Sequence, residues 1–149
     1  LSKKIINYSG CFVCGRDNPV GLKLDFFYDE EKQLAWTEYQ AEKQYQGYQD
    51  IVHGGIISSL LDEVMVKAIM SEGILAVTIK LTIEFKQPAR IGEKIRAEGW
   101  VTRRPGKGFL TEGRLVAEDG RLIATGNGIY YRAEGELAEE LTKSQPKIG

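Results

Sequence analysis

The chain has 149 residues, with 20 Lys+Arg against 21 Asp+Glu and a formal net charge of −1. That length fits one domain with a sizeable core, and the charge balance gives no reason to expect nucleic acid or a membrane surface as partner. No stretch approaches the ~18 uncharged apolar residues of a transmembrane helix, and no basic segment followed by an apolar run opens the chain, so a cytoplasmic location is the expectation.

In chain order, residues 1–21 read as an irregular segment punctuated by Gly10, Gly15, Pro19 and Gly21. The chain's two cysteines, Cys11 and Cys14, lie here in C-x-x-C spacing. A structural zinc takes about four ligands. One chain offers these thiols and a distant His53, so no metal is expected within a single subunit, although two subunits could supply four thiols. A redox pair of this spacing is expected after a strand and at a helix start. This pair instead precedes Gly15 and the turn-forming Asn18-Pro19, so the plain expectation is two reduced cysteines packing an N-terminal turn.

Residues 22–132 read as one domain. Leu22, Leu24 and Phe26 alternate with Lys23 and Asp25, a strand pattern. Asp29 to Lys32 reads as a turn, and Leu34, Trp36 and Tyr39 as the returning strand of a hairpin. Residues 41–52 are polar and aperiodic. From Gly54 to about Glu72 the period becomes helical, with Gly73 as C-terminal stop. Four strand-like runs follow. In the first, Val77 to Phe85, apolar residues alternate with Thr78, Lys80, Thr82 and Glu84, and Pro88 ends it. The second runs from Ile95 to Val101, the third from Phe109 to Ala117, and the fourth from Arg121 to Tyr131 after the Glu118-Asp119-Gly120 turn. Gly126 and Gly128 in the last run predict bulges or close backbone approach. Residues 133–149 form a polar tail, frayed or loosely helical. One long helix with six strands in antiparallel succession makes the fold class α+β.

At about 100° per residue, Ile57, Leu60, Leu61, Val64 and Ala68 share the face that should lie on the sheet. Glu63 and Lys67 fall together on the far side, where a solvated i,i+4 ion pair is expected. Asp62 lies on a flank with Ser58, Met65 and Ile69. A helix apolar on more than one side is covered on more than one side, and a second subunit is the simplest second cover. Asp62 then reads either as a functional carboxylate or as an acid satisfied by backbone or an interface partner. His53-Gly54-Gly55 precedes the helix, whose unpaired N–H groups and partial positive charge can polarise a carbonyl. Taken alone, His53 could equally be a helix-entry residue. Arg103, Arg104 and Lys107 cluster at a hairpin tip with Gly106 and Gly108, which reads as a phosphate contact or as a solvated turn; Arg90 is a second cationic candidate.

His53-Gly54-Gly55 with Asp62 nine residues after the histidine, followed by Pro88-Ala89 and Gly92-Glu93, resembles the hotdog-fold acyl-CoA thioesterases of the phenylacetate-pathway and 4-hydroxybenzoyl-CoA type. The resemblance covers residues 11–132, and Cys11-Phe12-Val13-Cys14-Gly15 with Asn18-Pro19 looks like a subgroup marker. It implies a central helix wrapped by the sheet, and hydrolysis of an acyl- or aroyl-CoA thioester without a cofactor. It implies Asp62 as nucleophile or general base, the Gly54 N–H on the thioester carbonyl, His53 as a positioning group and Thr78, on the polar face of its strand, as orienting the water. Gly55, Gln46, Gln49, Ser58, Arg103, Arg104 and Lys107 are the accompanying substrate-binding candidates. It also implies a homodimer or a dimer of dimers, with each site built from two subunits. Many relatives carry Asn six residues before the histidine, where this chain has Gly47, although Gln46 and Gln49 stand beside it. The alternatives are an acyl-CoA-binding protein without turnover and a dehydratase or hydratase of the same fold, whose His and acid are spaced differently.

Overall fold

The computed structural model describes residues 1–144. The strands are β1 (Ser2–Lys4), β2 (Phe27–Asp29), β3 (Leu34–Gln40), β4 (Ala76–Phe85), β5 (Lys94–Arg103), β6 (Gly108–Ala117) and β7 (Leu122–Arg132), with helices α1 (Gly54–Met70) and α2 (Gly135–Thr142). They form one antiparallel sheet in the order β1-β2-β3-β5-β6-β7-β4, so the strand following α1 crosses to the far edge. The class is α+β as expected, with seven strands rather than six. The additional strand is β1, inside the segment read as irregular. The polar tail contains α2, and residues 145–149 of that expectation lie outside the described residues.

The sheet is shaped to receive α1. Gly99, Gly113 and Gly126 stand in cross-strand register on β5, β6 and β7, making a row without side chains. The helix lies in that row: a Cβ on Gly99 would stand 2.7 Å from the Val64 carbonyl oxygen, and one on Gly126 would stand 3.2 Å from the Met65 side chain. Helix backbone meets the sheet at Gly99, where glycine is required; at Gly126, where bulging or close backbone approach was expected, the neighbours are side chains of Ile83, Met65 and Leu61. Leu60, Leu61, Val64, Met65 and Ile69 are fully buried, each worth roughly 1.5–3 kcal/mol of apolar burial.

Met65 and Ile69 are fully buried within one chain, so a second subunit, the simplest cover expected for the Asp62 flank, is not needed to bury them. β4 and β7 reach that flank, where Thr78 and Tyr130 bond Asp62.

The strand expected at Leu22–Phe26 is also corrected. That stretch is extended, but Leu22 and Leu24 donate their N–H groups to the Phe12 and Val13 carbonyls at 2.8 and 3.0 Å. Lys23 between them has φ 55°, which breaks the ladder. The stretch therefore straps down the cysteine turn, and the sheet strand begins at Phe27.

That strap produces the largest correction. Glu63 and Lys67 are not a solvated pair. The N-terminal segment packs over them, leaving the Lys67 side chain 0 % exposed and that of Glu63 14 % exposed. The Lys67 ammonium donates to the Ile6 carbonyl and lies 5.6 and 5.7 Å from the Tyr8 and Phe26 ring centres.

Candidate active site

The start of α1 is capped by His53. Its Nδ1 accepts from the Gly55 N–H at 2.8 Å, which puts the imidazole proton on Nε2 in the neutral ring. Its carbonyl accepts from Ile56 and Ile57. These bonds use up the donor expected of Gly55 and, among the described residues, leave the Gly54 N–H as the orphan of the first turn. Gly54 borders an open cavity of about 710 Å³, lined also by Tyr48, His53, Ile57, Phe85 and Lys86.

Two helical turns on, the half-buried Asp62 is held by two hydroxyls. Thr78 Oγ1 donates to Oδ1 at 2.9 Å, and Tyr130 OH lies 2.8 Å from the same oxygen and 3.1 Å from the Asp62 carbonyl. Among the described residues no hydrogen bond engages Oδ2, so one carboxylate oxygen is oriented and the other uncommitted. Burial, with the Asp62 charge second, pushes the Tyr130 phenol far above its ordinary range, so it remains a donor.

Thr78 was expected on the outer, polar face of its strand. The structure corrects this. The β4–β7 register shifts between Thr78 and Lys80, leaving Ile79 as an extra residue. The bulge changes the parity of the strand, so Thr78 faces α1 together with Leu81 and Ile83. Sequence reasoning missed Tyr130, hidden in an apolar run of β7, and also Phe85 and Lys86 on the helix-start cavity.

Ser58 donates to the Gly54 carbonyl within its own helix. Gln46 Oε1 accepts from the Asp50 N–H and holds the loop before the helix. Gln49 is exposed with no hydrogen bond recorded among the described residues. Gly47 abuts the histidine, where a Cβ would lie 3.3 Å from His53 Cα. Arg104 pairs with Glu72 at 2.7 Å, and Lys107 lies over the Tyr131 ring. The Arg103–Lys107 hairpin therefore sits beyond the C-terminal end of α1, and within one chain it does not converge with His53.

Over residues 49–124 the chain matches the profile of the thioesterase superfamily. The chain belongs to the thioesterase superfamily. A relative, an esterase candidate of Archaeoglobus fulgidus, is 32% identical over 105 residues, covering 69% of this chain and 67% of the relative. Among solved structures, another thioesterase superfamily protein aligns with TM-score 0.78 at 20% identity, over 88% of this chain and 68% of that one. The E. coli PaaI protein of the phenylacetic acid degradation operon aligns with TM-score 0.69 at 25% identity, over 76% and 82%. The superfamily match includes His53 and Asp62 and agrees with the expected hotdog arrangement of one long helix in an antiparallel sheet.

Proposed function

We propose that this protein hydrolyses acyl-CoA or aroyl-CoA thioesters, with Asp62 as nucleophile or general base. The observation that carries this reading is the Asp62 carboxylate, fixed through Oδ1 by Thr78 and Tyr130 with Oδ2 free to act. As base, Oδ2 takes a proton from water whose oxygen attacks the thioester carbon; the C–S bond breaks and the thiol leaves. As nucleophile, Oδ2 attacks the thioester carbon, the C–S bond breaks with departure of the CoA thiolate, and water then opens the resulting acyl anhydride to the free acid and the Asp62 carboxylate. The Gly54 N–H and the helix dipole polarise the carbonyl. No cofactor is needed, and Arg103, Lys107 and Lys86, the last paired with Glu84 at 2.7 Å, are the cations assigned to the CoA phosphates.

Gly54 and Asp62 are separated by about 12 Å along one helix. One thioester carbon cannot lie within bonding distance of both. Each site is therefore assigned to two copies, Gly54 from one and Asp62 from the other. The edge strand β4 offers the contact: it carries Ile79 and Phe85, 51% and 59% exposed, at an edge with no partner among the described residues. An unpaired edge of ten residues such as this one can accept another strand.

A thiol-release screen over short, long and aryl CoA esters tests the reading, with Asp62→Asn as control. Turnover that disappears in the variant is expected; equal rates would remove Asp62 from the mechanism. Gly47, which leaves the His53 flank bare, favours a second reading as an acyl-CoA-binding protein, for which calorimetric binding without any turnover would be the signature.

A further inference from the structure

The cysteine turn and the buried acid meet in a place the hydrolysis reading does not use. Cys11 Sγ, Cys14 Sγ and a Glu63 carboxylate oxygen lie within 4.8 Å of one another. The turn is closed by the Gly15 N–H on the Cys11 carbonyl at 2.8 Å, and the Cys14 N–H points at Cys11 Sγ at 3.4 Å. The two thiols differ in access. Cys11 is half-buried and lines a cavity of about 590 Å³ with Tyr8, Gly10, Met70, Val77 and Leu141, while Cys14 is completely buried. Glu63 Oε2 lies 3.8 Å from Cys11 Sγ and 3.8 Å from Lys67 Nζ, and Cys14 Sγ is within 4.8 Å of a Glu63 oxygen.

We propose that Cys11 and Cys14 form a reversible dithiol–disulfide site that exchanges with low-molecular-weight disulfides, with Cys11 attacking, Cys14 resolving and Glu63 taking the Cys14 proton. Cys11 thiolate attacks one sulfur of the small disulfide; that S–S bond breaks, a mixed disulfide forms on Cys11, and one thiolate leaves. Cys14 passes its proton to Glu63 and attacks the Cys11 sulfur. The mixed disulfide breaks, the Cys11–Cys14 bond forms, and the second thiolate leaves. The protein loses two electrons, and the small disulfide becomes two thiols.

The electrostatics agree with these roles. A hydrogen bond from Cys14, aided by backbone N–H groups and Lys67, lowers Cys11 to about 5. The same hydrogen bond and burial push Cys14 far up. Burial raises Glu63 to about 7, the range of a proton acceptor at neutral pH. A half-buried, cavity-lining Cys11 beside a fully buried Cys14 is the asymmetry of access that disulfide exchange requires. A metal cation fits less well: three ligands fall short of the usual four of zinc, and the Lys67 ammonium stands beside Glu63.

The test is made on the full chain, reduced and then exposed to oxidised glutathione under anaerobic conditions, with alkylation and mass spectrometry. Wild type is expected to lose both alkylatable thiols and two hydrogen atoms, reversibly with dithiothreitol. Cys14→Ser should stop at a glutathione adduct on Cys11, and Cys11→Ser should not react. Glu63→Gln should keep the capture step and slow resolution by about tenfold or more. The proposal is overturned if wild type keeps both thiols alkylatable, if its glutathione adduct never resolves, or if the isolated protein carries one zinc per chain that protects both thiols until chelated.

Discussion

Tyr130 and Asp62 are joined twice: the phenol lies within hydrogen-bond distance of both the main-chain carbonyl and Oδ1 of the acid, at 3.1 and 2.8 Å. One residue thus fixes both the helix turn and the carboxylate rotamer. Tyr130→Phe keeps the packing and removes the donor. Thr78 still holds Oδ1, so we expect kcat for thioester hydrolysis to fall about tenfold with KM little changed, and stability to fall by about 1 kcal/mol. Asp62→Asn should abolish turnover. A Tyr130→Phe enzyme as fast as wild type would leave the second hydroxyl without a catalytic consequence.

The glycine row gives a prediction about the fold alone. A Cβ at Gly99 meets helix backbone at 2.7 Å, which cannot rotate away, whereas a Cβ at Gly113 comes no closer than 3.1 Å to the Glu98 carbonyl and the Met65 side chain. Gly99→Ala should cost about 2–3 kcal/mol and Gly113→Ala about 1 kcal/mol or less, measured by urea denaturation. The reverse order would mean that the helix can lift from β5.

The helix and its strands were legible because their periods are local. Leu60, Leu61 and Val64 mark the helix face, and the alternation from Val77 to Phe85 marks β4. What a period cannot show is where it slips. The bulge at Ile79 depends on pairing with β7, and it alone turns Thr78 inward. The Glu63–Lys67 pair looked solvated because its cover comes from residues more than fifty positions away, near Ile6 and Cys11. The His53-Gly54-Gly55 and Asp62 spacing was readable, but not which N–H the histidine would consume, since that depends on its side-chain rotamer.

Glu63 gives a pH prediction. Its carboxyl rises from 4.5 to about 7 through burial, with Cys11, Lys67, Cys14 and Asp62 as its charged or titrating neighbours. Between those values the folded chain holds a proton that the unfolded chain has released, so this residue's contribution to stability declines as pH rises. Glu63→Gln, a neutral isostere of the protonated acid, removes that slope. The Tm of wild type relative to this variant should therefore fall from pH 4.5 to 7 and level off above. Parallel curves across the window would place the titration elsewhere.

The shared-site reading makes a sharper demand on Gly54. It is the first residue of α1, where proline is favoured and needs no N–H, and His53 before it has φ −58° and ψ 136°, a conformation that precedes proline readily. Gly54→Pro thus deletes the carbonyl donor while sparing the helix, and it should lower kcat about a hundredfold with an unchanged circular dichroism spectrum. Asp62→Asn should be inactive for a different reason. If each site takes Gly54 from one copy and Asp62 from the other, mixing the two variants with subunit exchange creates one intact site per mixed dimer. Random pairing then restores about a quarter of wild-type activity. Sites confined to single chains would restore none, whatever the mixing ratio.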